Sequence, residues 1–238
     1  MRFGRQRGLR HHVLDCRSAG THIVRLLGSV ALALVLAATS VPVRPASERS
    51  TAILVMGDSL SAEYGLPRET GWVKLLADRV AQRAPQYNVV NASISGDTTS
   101  GGRARLAELL QRVRPGIVII ELGANDGLRG LSIDAMRVNL QAMIDSCRRN
   151  AARVLLVGVR LPPNYGASYG ERFFSVYGEL AKRNRVALVP FLLDGFADNL
   201  DLFQADRIHP LAQAQAAMLD NVWPHLQPLL LDARHRGQ

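Results

Sequence analysis

Residues 52–61 read AILVMGDSLS, an unbroken apolar run that stops on a glycine and turns polar. A short, β-branched run without alternation is the mark of a strand buried on both faces, as in a parallel sheet covered by helices. Four more such runs follow, at 88–90, 117–122, 154–159 and 187–190. Between them lie amphipathic stretches at 72–83, 99–114, 132–149 and 169–183, with a last one near 212–231. In 99–114 the apolar residues Ala104, Leu106, Leu109, Leu110 and Val113 share one helical face. Five strand-then-helix units in series predict one α/β domain of three layers, helices on both faces of a five-stranded parallel sheet. It is expected to span 51–231, with 232–238 as a frayed tail.

Polar residues gather where the first three strands end: GDSLS at 57–61, NASISGD at 91–97 and GANDG at 123–127. In an open parallel sheet the ligand crevice lies outside the carboxyl ends of the strands, where connections diverge to opposite faces. With strand order 2-1-3-4-5, strands one and three flank that point, and Ser59 and Asn125 face each other across it. Far downstream, DRIHP at 206–210 precedes the last helix. A serine becomes a nucleophile when a base takes its proton, and the base needs a third group to hold its tautomer. Asp206 and His209, three residues apart on a turn, suit that pair; His225 has no carboxylate at that spacing. A tetrahedral intermediate also needs donors. The Ser59 and Gly96 backbone N–H groups and the Asn125 amide are the candidates.

In order and spacing, GDSLS (57–61), NASISGD (91–97), ELGANDGLRG (121–130), RLPPNYG (160–166) and DRIHP (206–210) resemble the motif blocks of the GDSL or SGNH hydrolases. Within them, the chain is most similar to the secreted thioesterase, lysophospholipase and arylesterase group, from about Ala52 to Leu230. The resemblance implies a flavodoxin-like fold with order 2-1-3-4-5 and an acyl-enzyme mechanism. It implies Ser59 as nucleophile, Asp206 and His209 completing the triad, and Gly96 and Asn125 as oxyanion donors. It also implies a mobile loop over residues 126–131 at a substrate groove, which makes Asp126, Gly127, Leu128, Arg129, Gly130 and Leu131 expected substrate contacts. Leu60 and Leu161 are expected contacts as well, because Leu60, Leu66, Leu128, Leu131 and Leu161 would give the crevice an apolar border. Glu63 departs from the pattern, since relatives often carry glycine there, and leaves the polarity of the groove mouth open.

Other readings compete at several positions. Ser59 by itself could cap a helix. An α/β-hydrolase expects Gly-x-Ser-x-Gly and an acid far from its histidine, whereas Ser61 holds the second glycine position here. A noncatalytic binding module of the same fold would not need serine, glycine, asparagine, aspartate and histidine together. Carbohydrate O-deacetylation is the enzymatic alternative. Asp58 is assigned to hydrogen bonding within its loop, Asp97 to a helix cap, Cys147 to a buried small hydrophobe, and Trp72 and Phe173 to the core.

The chain has 238 residues, 29 Lys+Arg and 20 Asp+Glu, for a net charge of +9. Six arginines against Asp15 put +5 of that in the first 40 residues, so the remaining +4 offers no basic block for nucleic acid. Those arginines precede an apolar run of 13 at 26–38. That is the layout of a secretory signal, shorter than the ~20 residues of a spanning helix. Cleavage is expected after Ser40, with Ala38 or Ala46 as alternatives and a membrane anchor as the competing reading. This makes 1–40 a signal peptide, 41–50 a linker, and the product periplasmic or secreted. After cleavage Cys147 stands alone, so no internal disulfide forms. No metal-ligand spacing is present. No cofactor and no stable protein partner are expected, only a monomer acting on a small acyl ester or thioester, lysophospholipid included.

Overall fold

The computed structural model describes residues 51–235. The expected signal peptide and linker, and residues 236–238, lie outside the described residues. The five strands are β1 (Ala52–Gly57), β2 (Asn88–Asn91), β3 (Ile117–Glu121), β4 (Arg153–Val157) and β5 (Ala187–Val189). They form one parallel sheet in the order β2-β1-β3-β4-β5, as expected. The helices are α1 (Trp72–Arg83), α2 (Thr99–Val113), α3 (Ala124–Leu128), α4 (Ile133–Arg149), α5 (Ala167–Asn184) and α6 (Gln215–His235).

Alternate residues of each strand point to opposite faces, so the apolar runs feed two cores. Ile53, Val55, Ile117 and Ile119 face one layer, with Trp72, Leu76 and Val80 of α1 and Met218, Val222 and Leu226 of α6. Leu54, Met56, Val118 and Ile120 face the other, with Leu106 of α2, Leu140 of α4, and Phe173 and Tyr177 of α5. All six residues of β1 are buried, which is why its sequence does not alternate. Trp72, Phe173 and Cys147 are core residues, as expected. Burial pushes the Cys147 thiol up to about 12, the behaviour of an inert side chain.

Beyond shifts of one or two residues at several element ends, two differences from expectation stand out. A turn of 3-10 helix at Ala212–Ala214 precedes α6, and α6 itself runs to His235, so the first four residues of the expected tail are helical. Residues 124–128, which carry no helical periodicity, form α3 because their backbone follows Gly123 at φ +126 straight off β3. Among the described residues no helix is long and apolar enough to cross a membrane.

Candidate active site

Ser59 sits two residues past β1, on a tight turn in which Ser61 N–H and Ala62 N–H both donate to the Asp58 carbonyl, at 3.2 and 2.9 Å. Gly57 is required beneath it: a Cβ there would lie 2.6 Å from Ser61 Oγ and 2.7 Å from Glu121 Oε2. The loop after β2 is brought alongside by Ile94 N–H donating to the Gly57 carbonyl at 3.0 Å. It carries Gly96 at φ +79, a left-handed backbone that suits glycine.

The 206–210 turn reaches the same end of the sheet. His209 Nε2 lies 2.7 Å from Ser59 Oγ, and His209 Nδ1 lies 2.7 Å from Asp206 Oδ2. The second Asp206 oxygen accepts from Ile208 N–H and His209 N–H at 2.9 and 3.0 Å. Partial burial pushes the Asp206 carboxyl up, but the hydrogen bonds from His209 and Ile208 outweigh it and hold the group below the usual carboxylate range. A carboxylate fixed in this way keeps the proton of a neutral imidazole on Nδ1, leaving Nε2 free to take one from Ser59.

Asn125, the second residue of α3, donates from Nδ2 to Asp58 Oδ2 at 3.2 Å. Asp58, fully buried, also accepts from Leu60 N–H at 3.0 Å, so its expected role within the loop holds and extends to Asn125. Hydrogen bonds thus join Asp206 to His209 and His209 to Ser59, and Asn125 to Asp58, which precedes Ser59 in the chain.

The expected substrate contacts divide. Asp126 does not face a groove: its buried carboxylate accepts from Thr99 N–H at 2.8 Å and Thr99 Oγ1 at 2.6 Å, anchoring the first turn of α2. Gly127 is buried under Leu161 and Phe173, and a Cβ there would lie 2.6 Å from Leu161 Cδ2. Arg129 donates to the Gly96 carbonyl at 2.9 Å and so joins α3 to the Gly96 loop. Leu60 and Leu161 are half-buried against the core, Leu128 is half-buried, and Gly130 and Leu131 are exposed. The segment expected as a loop is helical over its first three residues, Asp126, Gly127 and Leu128. It is tied to the α5 side by Tyr165 Oη donating to the Leu128 carbonyl at 3.1 Å and Tyr169 Oη to the Gly127 carbonyl at 3.4 Å.

Asp97 is not the α2 cap. Thr98 caps it by accepting from Gly101 N–H, and Asp97 pairs with Arg105 at 2.8 Å. Glu63 occupies a left-handed position, φ +59, the backbone state that favours glycine. Its carboxylate folds back to accept from Glu69 N–H and Gly71 N–H at 2.9 and 2.8 Å, so it staples its own loop.

Two residues at the site escaped sequence reading. Tyr64 lays its ring against His209, and Gln204 donates from Nε2 to the Tyr64 carbonyl at 2.8 Å while its own N–H donates to the His209 carbonyl at 2.8 Å. Neither stands in a motif with a chemical demand, and only their meeting across 140 residues marks them.

The profile of the GDSL-like Lipase/Acylhydrolase family matches residues 55–217. The chain is 52% identical over 178 residues to "Esterase TesA" of Pseudomonas aeruginosa, covering 75% of this chain and 89% of that protein. It is 40% identical over 178 residues to "Thioesterase 1/protease 1/lysophospholipase L1" of Escherichia coli K12, covering 75% and 84%. Among solved structures, the psychrotrophic esterase EstA from Pseudoalteromonas sp., inhibited by monoethylphosphonate, superposes with a TM-score of 0.72 at 39% identity, covering 76% of this chain and 98% of that one.

Proposed function

Because this chain belongs to the GDSL-like lipase/acylhydrolase family, we propose that it hydrolyses acyl esters and thioesters through Ser59, with His209 as base and Asp206 as the group that orients it. The observation that carries the assignment is the unbroken path Ser59 Oγ, His209 Nε2, His209 Nδ1, Asp206 Oδ2, with 2.7 Å at each hydrogen bond.

Ser59 attacks the acyl carbonyl as its proton passes to His209. The carbonyl oxygen becomes an oxyanion, for which the Asn125 amide and the Gly96 and Ser59 N–H groups are the donors. His209 then protonates the departing alkoxide or thiolate, leaving an acyl-Ser59 ester. A water gives its proton to His209 and attacks that ester, which releases the carboxylic acid and restores Ser59. Leu60, Leu128, Leu131 and Leu161 supply apolar surface for the acyl chain, and this supports aryl esters, acyl thioesters and lysophospholipids as the substrate class. The arginine-flanked apolar run at 26–38 supports export, with the enzyme working in the periplasm or outside the cell.

A fluorophosphonate probe tests the reading. The purified protein should gain one phosphonyl group, located at Ser59 by peptide mass spectrometry. Ser59→Ala should neither label nor hydrolyse p-nitrophenyl butyrate while keeping its circular-dichroism spectrum. Labelling that persists unchanged in Ser59→Ala overturns the assignment.

A further inference from the structure

Behind Ser59, two carboxylates are buried together where β1 and β3 end. Gly57 stands opposite Glu121 in the register of the two strands, and Asp58 follows it, so both side chains enter the same small space. Asp58 and Glu121 are each fully buried. Their hydrogen bonds differ in a way that separates their charges. Both oxygens of Asp58 accept, one from Leu60 N–H and the other from Asn125 Nδ2. Glu121 takes both its bonds on Oε2, from Ser61 Oγ at 2.7 Å and Asp58 N–H at 3.3 Å. Its Oε1 is buried with no hydrogen-bond partner among the described residues. An ionised carboxylate pays heavily for an oxygen left dry, and two like charges at this range suppress each other. Burial, and then the Asp58 charge, push the Glu121 carboxyl well above its usual range, so of the two it is Asp58, with both oxygens accepting, whose surroundings suit the charged form.

An asparagine amide presents an acceptor at one end and a donor at the other, and its neighbours decide which is which. An ionised carboxylate can only accept. We propose that Asp58 is a positioning residue that holds the Asn125 amide with its nitrogen, not its oxygen, toward the reacting carbonyl. The inference rests on the reading of Asn125 as an oxyanion donor. When Asp58 takes up a proton it becomes a donor at one oxygen, the amide loses its reason to keep that orientation, and the oxyanion site can meet a carbonyl oxygen where it needs an N–H. Burial, outweighing the Leu60 and Asn125 hydrogen bonds, places the Asp58 carboxyl at about 7, within working range. The titratable groups bearing on it are Glu121 at the end of β3, Asp97 in the β2–α2 loop, Asp126 of α3 and the Tyr177 hydroxyl of α5.

Asp58→Asn is the informative change, because it leaves one acceptor oxygen where Leu60 N–H and Asn125 Nδ2 need two, and adds an NH₂ that invites the amide to turn over. With p-nitrophenyl butyrate, kcat should fall ~10–100-fold with little change in KM, part of the ~10²–10³ of a lost oxyanion donor. In an Asn125→Ala background the same substitution should cost nothing further. A second measurement needs no change at Asp58: the acid limb of log kcat against pH should steepen toward two protons in the wild type and show one proton in Asn125→Ala. Wild-type kcat in Asp58→Asn, an undiminished loss in the Asn125→Ala background, or identical acid limbs would each overturn the inference. An Asn125→Ala enzyme with unaltered kcat would instead bring down the oxyanion reading itself, and this inference with it.

Discussion

The phenol ring of Tyr64 lies against the imidazole of His209, with centroids 4.4 Å apart and planes tilted by 40°. Tyr64 is half exposed, so its ring meets the histidine on one side and stays open to water elsewhere. Gln204 holds the arrangement by bonding both the Tyr64 carbonyl and the backbone of His209. An aromatic face favours a cation, and in the proposed mechanism His209 becomes one each time it takes the proton of Ser59.

Tyr64→Ala should therefore lower kcat by about 2- to 5-fold, the equivalent of ~0.5–1 kcal/mol for a partly exposed cation–aromatic contact. KM should change less. Tyr64→Phe keeps the ring and should retain wild-type kcat. Equal losses in both variants would show that the hydroxyl, not the ring, matters.

Asp126 gives a prediction about stability. Its two hydrogen bonds to Thr99 are buried, so Asp126→Ala leaves the Thr99 N–H without a partner and the Thr99 hydroxyl with no acceptor for its proton, only the bond it accepts from Asn139 Nδ2. The expected loss is ~2–4 kcal/mol, since each stranded buried group costs ~1–3 kcal/mol. Urea unfolding measures it. A loss below 0.5 kcal/mol (about a tenth of a typical ~5 kcal/mol stability) would mean that α2 does not depend on this anchor.

The buried carboxylates make stability depend on pH in an uncommon direction. Burial raises Asp58 from 3.8 to about 7 and Glu121 well above its usual range. Between an ordinary carboxylate value and the raised one, the folded protein holds protons that the unfolded chain has lost. Stability from these groups is thus complete at the acid end and falls as pH rises through about 7 for Asp58, and further still for Glu121. Glu121→Gln keeps an oxygen for Ser61 and removes the second titration. It should gain on the wild type in urea midpoint between pH 6 and pH 9. A constant difference across that range would refute the ionisation argument.

Substrate length should be read by the leucines. Leu128 is half-buried and Leu131 is 45% exposed, so both have surface left to cover. Each acyl CH₂ placed there can gain up to ~0.8 kcal/mol, about fourfold in kcat/KM. The value for p-nitrophenyl esters should climb from acetate to hexanoate, and Leu128→Ser with Leu131→Ser should flatten the climb while acetate is still hydrolysed. A steady fall from acetate onward, with release of acetate from acetylated sugars, would favour deacetylation.

Strand positions, and the residues that the structure gathers around Ser59, were legible in the sequence because their causes are local. A strand covered on both faces must be apolar at every residue, as 52–56 is, and a serine, a glycine, an asparagine and an Asp-x-x-His pair each stand directly after or before an element that fixes them. The α1 boundaries, Trp72–Arg83, also follow from periodicity alone. Other features were decided only by tertiary structure. Asp126 looks like a groove residue by its place beside Asn125, yet a helix of five residues turns it 27 positions back in sequence, to Thr99. Glu63 looks like a charge at the groove mouth, yet it is spent on its own loop. Asp58 and Glu121 meet across 63 residues, and Tyr64 and Gln204 across 140. Hydrophobic period records which face a residue turns to the core. It carries no record of which polar group from a distant part of the chain will arrive beside it, because that partner is selected by sheet register and helix packing once the whole domain has closed.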